Sequence, residues 1–429
     1  MQIFILVWLG QFVSLFGSRL TEFALAVWVF QKTDSLTQFA LIFLLFYLPN
    51  VLISPLAGVI VDRWNRRYCM IISDLIAGIV SFIIMLLVVN EQLEVWHIYF
   101  AIVILSLMNA FQLPAYTASI TQLVGKKNLI RANGMVQVAT AVVKIIAPAI
   151  AGILIGIIDY KGILAVDLGT FIFAMITLFY VRFPKVKHDQ EASKNSDRHK
   201  QNKFSNVLED ALSSWNYIVQ RSNLVKLLMF IAVTYFTFSM SEVLFWAFIL
   251  SFSTSENLGI LLSIGGIGML LGSLLITTHK QGLNFRLSII VLSVLLQGML
   301  MIMFSVKTSL ITAGIGIFGY LFVQPIIISC NLSIWQSKIP SNLQGRVFAL
   351  QQLLERSLAI IAYIMIGPLV DFTFKPLIGE QLEGSIGLES SVSVSLLISI
   401  IGGINIIAAL FAYQDSQLRY LERELPDAS

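Results

Sequence analysis

The sequence predicts an all-α membrane protein with twelve transmembrane helices. Of its 429 residues, 57% are apolar and only 12% are charged, and the mean hydropathy is +0.84. Stretches of about 20 apolar residues alternate with short polar joints, and each stretch is long enough to cross a hydrocarbon core of about 30 Å as a helix. The stretches are apolar on all sides, whereas helices of a water-soluble domain have a polar face.

The predicted spans form two sets of six, separated by a hydrophilic segment. The first span is not a secretory signal, since it lacks a basic start and a cleavage site and continues past 25 residues; the sequence leaves open whether translation begins upstream. In chain order the spans are Ile3–Phe30, Gln38–Val61, Tyr68–Val89, Trp96–Ser119, Ala132–Ile157, Gly162–Phe183, Leu224–Phe252, Leu258–Thr278, Phe285–Val306, Ser309–Ile334, Val347–Phe372 and Ser390–Tyr413.

We therefore expect four parts along the chain. Residues 1–183 form an N-terminal six-helix half, and residues 224–413 form a C-terminal six-helix half. Residues 184–223 form a linker, in which Val207–Ile218 carries apolar residues at helical spacing and predicts an amphipathic helix on the membrane surface. Residues 414–429 form a polar tail.

The distribution of basic residues predicts the orientation. The joints on one side, with the adjoining span ends, hold 19 of the 28 Lys and Arg residues, and the opposite joints hold four. Because basic residues are retained in the cytoplasm, both termini are expected there, in a bacterial-type inner or plasma membrane. The net charge of +4 reflects this topology, so nucleic acid is not an expected partner.

The two halves resemble each other weakly at an offset of about 215 residues. Glu22 in span one matches Glu242 in span seven, Pro114 in span four matches Pro325 in span ten, and Arg131 matches Arg346. Three matches in register indicate two six-helix halves in parallel repeat, an arrangement used by secondary transporters.

A motif at the end of span two carries the first resemblance to a known family. Gly58, Asp62, Arg63, Arg66 and Arg67 resemble the major facilitator signature Gly-x-Leu-x-Asp-Arg-x-Gly-Arg-Arg. Gly58 permits close helix approach, Asp62 can accept hydrogen bonds from a helix N-terminus, and the arginines can bind anionic lipid headgroups. We interpret the motif as a gating latch. Asn replaces the second family Gly, and we expect it to preserve a left-handed turn there.

Further motifs narrow the resemblance to the macrolide-efflux and enterobactin-exporter branch of the superfamily. The resemblance implies a twelve-helix exporter of a bulky, amphipathic small molecule, such as a macrolide-like drug or a siderophore. It also implies that proton entry drives export while the two halves rock about a central cavity. The matching segments are Gly10–Ser18, Phe111–Ala115, Leu129–Gly134, Gly345–Phe348 and Gly367–Asp371 with Lys375 and Pro376.

Span five is similar to the Gly-Pro-x-x-Gly-Gly antiporter motif, with Ala replacing two glycines. Pro148 permits a bend, and Gly152 belongs to a ridge of small residues four apart that can pack tightly against another helix. Small residues are also common in any bundle helix, so ordinary packing remains the alternative.

Charged residues inside the predicted spans are the main functional candidates. Each costs on the order of 2.5–3.5 kcal/mol to insert, so such residues usually line a cavity or form pairs. We predict proton coupling by Glu22, Asp167 or Glu242, with Arg19 and Lys144 as charge partners; Arg19 and Glu22 can pair along one helix face. Glu355 and Arg356 are candidates for an inner gate. The alternative is that these charges form static pairs that fasten helices together.

Other classes of function have weaker support. The sequence contains neither a Gly-rich phosphate loop nor a His/Cys cluster, so we expect no enzyme activity, ATP use, cofactor or metal. A lysophospholipid translocase of the same fold and a membrane scaffold or sensor remain alternatives.

Phe43, Tyr47 and Trp246 could line an apolar pocket or pack in the core. We expect a monomer whose partners are its substrate, protons and lipids; the sequence does not identify the substrate, the proton stoichiometry or the carboxylate that carries the proton.

Overall fold

In the computed structural model, the described part of the chain is helical apart from short joints. It comprises residues 2–124, 129–181, 215, 217–278, 285–339, 341–379 and 388–419. The predicted amphipathic helix Val207–Ile218 and the C-terminal tail fall mostly outside these residues. The all-α class predicted from the sequence is confirmed.

The first five helices include four that each match one predicted span and one that is twice as long. They are α1 (Gln2–Thr33), α2 (Leu36–Arg63), α3 (Arg66–Val89), α4 (Val95–Leu123) and α5 (Leu129–Tyr180).

The remaining helices of the described chain follow the same alternation of long helix and short joint. They are α6 (Ser222–Phe252), α7 (Ser255–Thr278), α8 (Arg286–Val306), α9 (Leu310–Lys338), α10 (Ser341–Pro368), a π-helical turn (Leu369–Phe374), α11 (Lys375–Gly379), α12 (Leu388–Gln414) and α13 (Ser416–Arg419).

Helix α5 joins the predicted fifth and sixth spans. Its 52 residues would extend about 78 Å at 1.5 Å per residue, enough for two crossings of a membrane. At Asp159 the backbone leaves the helical region, with φ 57° and ψ 178°, so α5 consists of two helical segments that meet at a kink between the two predicted spans. Eleven helices of the described residues are long and apolar enough to span a membrane, and α5 is the longest of them.

The chain packs as two compact units. Unit 1 comprises Met1–Lys185, Trp246–Gly266 and Tyr363–Ser390, and unit 2 comprises Val186–Phe245, Ile267–Ala362 and Ser391–Ser429. These units are defined by packing rather than by chain order. The division into halves at residues 1–183 and 224–413 therefore stays a prediction.

Close backbone contacts at glycines determine how the helices of unit 1 pack. A Cβ atom at Gly17 of α1 would lie 3.1 Å from the Cα of Asp167 on α5 and 3.0 Å from its Oδ1. Since a side chain at position 17 would separate α1 from α5, the glycine brings the α1 backbone directly against Asp167. This contact positions the candidate site described below.

The joint between α2 and α3 corrects one expectation. Asn65 has φ −68° and ψ 115°, an extended conformation, and not the left-handed turn expected at this position. Its side-chain oxygen accepts a hydrogen bond from the backbone N–H of Arg67 at 3.0 Å. Asn65 therefore acts as the N-cap of α3, a role for which Asn is well suited because its side chain satisfies a free helix donor.

Candidate functional site

A buried carboxylate, Asp167, lies between three helices of unit 1. Asp167 is on α5 and only 4% exposed. Its Oδ2 accepts a hydrogen bond from Ser81 Oγ of α3 at 2.9 Å, and its Oδ1 accepts one from Ser18 Oγ of α1 at 3.4 Å. We call these three residues the Asp167 site.

The donors of the Asp167 site are neutral. No Lys, Arg or His side chain of the described residues forms an ion pair with Asp167. The Thr21 hydroxyl, one turn from Ser18 on α1, is buried beside the Asp167 carboxylate, beyond normal hydrogen-bond distance. The site therefore holds a carboxylate through hydroxyl groups, so the acid can change its charge without breaking an ion pair.

A second buried carboxylate, Asp74 of α3, was missed in the sequence analysis. Asp74 is 8% exposed. Gln11 Nε2 of α1 donates to its Oδ2 at 3.0 Å, and Gln112 Nε2 of α4 donates to its Oδ1 at 2.9 Å. Gln112 Nε2 also donates to Gln11 Oε1 at 2.9 Å. We call these three residues the Asp74 site; its signal was an acid inside the predicted span Tyr68–Val89.

The predicted pair of Arg19 and Glu22 exists. Arg19 Nη1 lies 2.5 Å from Glu22 Oε2, and the two side chains are 43% and 40% exposed. The pairing predicted from helical spacing is confirmed, and its role in transport stays a prediction. Compared with Asp167, the Glu22 carboxylate is more accessible and already neutralised by a neighbouring cation.

The structure describes three of the other predicted charges. The side chains of Lys144 on α5 and Glu242 on α6 are exposed, and each takes part in an electrostatic or hydrogen-bonded interaction. Glu355 on α10 is buried and accepts a hydrogen bond from Gln351 Nε2 at 2.9 Å. The side chain of Arg356 lies outside the described residues.

The predicted gating motif is described in part. Gly58 lies within α2, and the side chains of Asp62 and Arg63 lie outside the described residues, so the latch role of the motif stays a prediction. Arg66 Nη1 lies 3.5 Å from the Ala118 carbonyl oxygen on α4.

Arg67 binds the end of α5. Its Nε donates to the Leu178 carbonyl at 3.0 Å, and its Nη2 donates to the Phe179 carbonyl at 2.9 Å. The last carbonyls of a helix have no partner within it, and a cation there also interacts favourably with the helix dipole. Arg67 thus stabilises the contact between α3 and α5, in addition to any role in topology.

The antiporter-like motif packs α5 against α7. A Cβ atom at Gly152 would lie 2.5 Å from the Ser255 carbonyl oxygen, and one at Gly259 would lie 2.1 Å from the Pro148 carbonyl oxygen. The tight packing expected of this small-residue ridge is confirmed. Its link with antiport stays a prediction.

An acid near the end of the Gly367–Asp371 motif caps α2. The Asp371 carboxylate accepts hydrogen bonds from Ser35 Oγ at 2.7 Å and from the backbone N–H groups of Leu36 at 3.2 Å and Thr37 at 2.7 Å. Lys375 Nζ lies 3.4 Å from Asp371 Oδ1. The carboxylate satisfies free donors at the helix N-terminus, where the dipole also favours negative charge.

Aromatic side chains surround Trp246 in unit 1. Its ring centroid lies 5.1 Å from that of Phe23, 6.0 Å from Phe39 and 6.1 Å from Phe43. Phe43 in turn stacks on Tyr363, which also contacts Tyr47. We call these six residues the aromatic cluster. Phe43, Tyr47 and Trp246 are half-buried, so they combine packing with an accessible apolar surface.

Unit 2 contains an ion pair that contrasts with the buried acids of unit 1. Lys226 Nζ of α6 lies 2.5 Å from Asp415 Oδ2, just after α12. The hydrogen bond donated by Lys226 holds the pKa of Asp415 below its usual range. This carboxylate is fixed in its charged form.

Within the described residues, no group of three or more His, Cys, Asp or Glu side chains is arranged to hold a metal ion.

The chain is similar in sequence to efflux proteins. It is 27% identical over 354 residues to macrolide efflux protein A of Streptococcus pyogenes, covering 81% of this chain and 84% of that protein. It is 26% identical over 316 residues to macrolide efflux protein A of Enterococcus faecalis, covering 72% and 93%.

Solved transporter structures share the fold. A bacterial homologue of the human lysosomal transporter Spinster, in an inward-facing and unoccupied conformation, has a TM-score of 0.72 at 13% identity and 98% coverage of both chains. The nucleoside transporter NupG has a TM-score of 0.70 at 13% identity, covering 97% of this chain and 100% of that one.

The family is shown by sequence over most of the chain. The sequence model of the Major Facilitator Superfamily matches residues 7–363. This match agrees with the helical fold, the membrane-spanning helices and the efflux relatives. The protein is thus a multi-pass membrane transporter and not an enzyme, and it belongs to the Major Facilitator Superfamily, in its macrolide-efflux-like branch.

Proposed function

We propose that this transporter exports a bulky, amphipathic small molecule in exchange for protons. The relatives are named for macrolide efflux, which supports a drug-like substrate. A siderophore is the second candidate among bulky, amphipathic molecules. The protein acts as a monomer in the plasma membrane with both termini in the cytoplasm. Its two six-helix halves expose a central cavity alternately to the two sides.

The observation that carries the proton part of this proposal is the buried Asp167. A carboxylate in a low-dielectric site can bind a proton when the site faces one side and release it when the site faces the other. Asp167 is nine-tenths or more buried and is held by hydroxyls. A change of its charge therefore leaves no cation buried and unpaired, as it would in a fixed ion pair.

The same reasoning orders the other predicted proton carriers. Glu22 is paired with Arg19 and accessible, so its charge costs less than that of a buried carboxylate. Glu242 is exposed on α6. We therefore assign the proton to Asp167 first, with Glu22 and Glu242 as secondary candidates.

The aromatic cluster supports an apolar substrate. Its three half-buried rings, Phe43, Tyr47 and Trp246, come from α2 and α6 and present apolar faces beside polar tips. Sites for drug-sized ligands are lined mainly by apolar and aromatic groups with few polar ones. The cluster is thus suited to a macrolide ring system better than to a small polar metabolite.

Coupling follows if substrate and proton favour opposite charges at Asp167. Binding of one then weakens binding of the other, and the inward proton gradient drives the substrate outward. The membrane potential adds about 2.3 kcal/mol per charge per 100 mV.

The experiment is export by purified protein in liposomes under an imposed pH step, with radiolabelled erythromycin as the probe. Wild-type protein is expected to concentrate the drug, and Asp167→Asn is expected to equilibrate it without concentrating it. Glu91→Gln is the matched control, because this acid is exposed outside the span of α3. Concentration by Asp167→Asn to the wild-type level would refute the proton assignment. Movement of a fluorescent lysophospholipid but not of erythromycin would indicate the lipid translocase instead.

A further inference from the structure

We propose that Asp74 is a second proton-binding carboxylate, which receives the proton from Asp167 and passes it to the end of α3 that begins at Arg66. By the distribution of basic residues this is the predicted cytoplasmic end. The inference rests on the proposed function for the direction of proton movement. The binding of a proton by Asp74 is tested separately below.

The Asp74 site holds a buried acid through neutral groups only. Both carboxylate oxygens accept from glutamine amides, one on α1 and one on α4. No Lys, Arg or His side chain of the described residues forms an ion pair with Asp74.

One cation on each neighbouring helix is engaged elsewhere, counting His97 on α4 as the third. On α1, Arg19 binds Glu22. On α3, Arg67 binds carbonyls at the end of α5. On α4, His97 Nδ1 accepts from the backbone N–H of Glu94. Asp167 is then the acid linked to the Asp74 site, because its donors Ser18 and Ser81 lie on the same helices as Gln11 and Asp74.

One polar atom of the Asp74 site has no partner among the described residues. Gln112 Oε1 is buried and makes no hydrogen bond with the described residues. Rotation of this amide by half a turn would place Oε1 where Nε2 now contacts Asp74, and the oxygen would then accept a hydrogen bond from a protonated carboxyl, at the cost of the hydrogen bond to Gln11 Oε1 and with movement of Gln11 away from it. The glutamine can therefore match either charge of Asp74, as a donor to the carboxylate or as an acceptor from the acid.

The Asp74 site and the Asp167 site lie on one line along the same helices. Gln11 and Ser18 are seven residues apart on α1, and Asp74 and Ser81 are seven apart on α3. Seven residues make two helical turns, so the pairs share a face and lie about 10 Å apart along each axis. Ser14 falls on the same face of α1, between the pairs.

The proposed transfer conserves charge within the protein. A proton leaves the carboxyl of Asp167, which becomes a carboxylate, and arrives at the carboxylate of Asp74, which becomes neutral. Water molecules and the Ser14 hydroxyl carry it over the gap, since hydroxyls both donate and accept. Release from Asp74 to solvent at the Arg66 end returns the pair to its starting state.

The test is an infrared pH titration of the purified protein in lipid, which records the carbonyl stretch of protonated carboxyl groups and needs no substrate. Wild-type protein is expected to show one buried carboxyl component from Asp167 and one from Asp74, beside any component of the buried Glu355. Asp167→Asn should remove one, Asp74→Asn the other, and the double variant both. An unchanged pH-difference spectrum in Asp74→Asn would overturn the inference.

Transport measurements separate proton transfer from a structural role of Asp74. Asp74→Asn should reduce pH-driven erythromycin export about 10-fold, within the usual range of coupling effects. Erythromycin exchange at equal pH should persist, because the Gln112 amide can turn to pair with the new asparagine. Asp74→Glu, which keeps a titratable group, should recover most of the pH-driven export.

The two proposals fail in different ways. If wild-type protein exports erythromycin by the pH step and Asp74→Asn does so equally well, the Asp74 inference is wrong and the proposed function stands. If wild-type protein does not respond to the pH step, the proposed function fails. The infrared titration then still decides whether Asp74 binds a proton.

Discussion

Unit 1 and unit 2 bury a polar side chain at corresponding places, but the side chain is an acid in unit 1 and an amide in unit 2. In unit 2, Asn405 Oδ1 of α12 accepts from Thr237 Oγ1 of α6 at 2.8 Å. Asn405 Nδ2 lies 3.6 Å from Met301 Sδ of α8. We call these three residues the Asn405 site.

The helix boundaries show that the two sites correspond. Helix α1 begins at Gln2 and α6 at Ser222, while α3 begins at Arg66 and α8 at Arg286; both pairs differ by 220. Adding 220 to Ser81 gives Met301, and adding it to Ser18 gives the residue after Thr237. The same helices of each set thus meet around one polar group, Asp167 or Asn405.

A second polar contact in unit 2 is close to its counterpart but not at the same position: with the offset of 220, Asp74 falls on Val294, one turn before Gln297. In unit 2, Gln297 Nε2 of α8 donates to Gln324 Oε1 of α9 at 2.8 Å. In unit 1, the third and fourth helices are joined instead by Asp74 and Gln112. Unit 2 also buries Glu355, but on α10 and beside Gln351, away from these positions.

The comparison teaches that packing alone does not require a carboxylate at the Asp167 position. In unit 2 an amide occupies the corresponding place, with Thr237 and Met301 as its neighbours. The acids of unit 1 therefore carry a property that amides lack, namely an exchangeable proton.

The largest expected effect is on a variant that gives unit 2 the acid of unit 1. Asn405→Asp adds a potential charge beside Thr237 and Met301, and burial of a charge in a membrane span costs about 2.5–3.5 kcal/mol. We expect a marked fall in the thermal unfolding temperature of the purified protein in detergent. Asp167→Asn, the reverse change, should leave that temperature nearly unaltered. Equal destabilisation by both would mean that unit 1 needs its acid for packing.

The next effect concerns the packing of α5 against α7 within unit 1. Gly259→Ala places a Cβ atom 2.1 Å from the Pro148 carbonyl oxygen, so α5 and α7 must separate. We expect a loss of about 1–3 kcal/mol of stability, typical of overpacking. Gly156→Ala is the matched control on α5, since nothing lies within 4 Å of its new Cβ atom. A similar loss in both variants would contradict this explanation.

A smaller effect is expected at Asp371, an acid of unit 1 that has a structural role and does not bind the transported proton. Asp371→Ala removes the acceptor for three donors at the start of α2. Loss of a helix cap costs about 0.5–2 kcal/mol, and thermal unfolding should show it. Asp371→Asn should recover part of the loss, since its oxygen still accepts. In both variants, the buried carboxyl bands of the infrared titration should not change. Loss of such a band would place Asp371 among the proton-binding acids.

The smallest effect is expected at the accessible pair on α1. Glu22→Gln removes an exposed ion pair worth about 0–1 kcal/mol. Its pH-driven export of erythromycin should fall far less than that of Asp167→Asn. A fall as large as in Asp167→Asn would move the proton assignment to Glu22.

The sequence predicted the fold well because its signals are local. Apolar length marks each span, and the Arg19–Glu22 pair follows from residues three apart on one helix. The kink at Asp159 falls between the predicted spans Ala132–Ile157 and Gly162–Phe183, where the sequence indicated a break. Asn65 was assigned a turn by analogy with Gly, whereas its side chain caps α3.

The site was harder to predict because its contacts are not local. The sequence marks Asp167 as an acid in an apolar span, but its partners Ser18 and Ser81 are far away in the chain. Asp74 had the same local signal, and only its contacts with Gln11 and Gln112 separate it from an ordinary end-of-span charge. Distance along the chain thus conceals which acids are paired with cations and which are held by neutral groups.

The most direct measurement is a simultaneous record of proton and erythromycin fluxes in liposomes that contain Asp167→Asn or wild-type protein. Wild-type protein should move protons against the drug, in a fixed ratio, as the drug accumulates. Asp167→Asn should still exchange the drug at equal pH but move no protons with it. Uphill drug movement by Asp167→Asn with the wild-type proton flux would contradict the account.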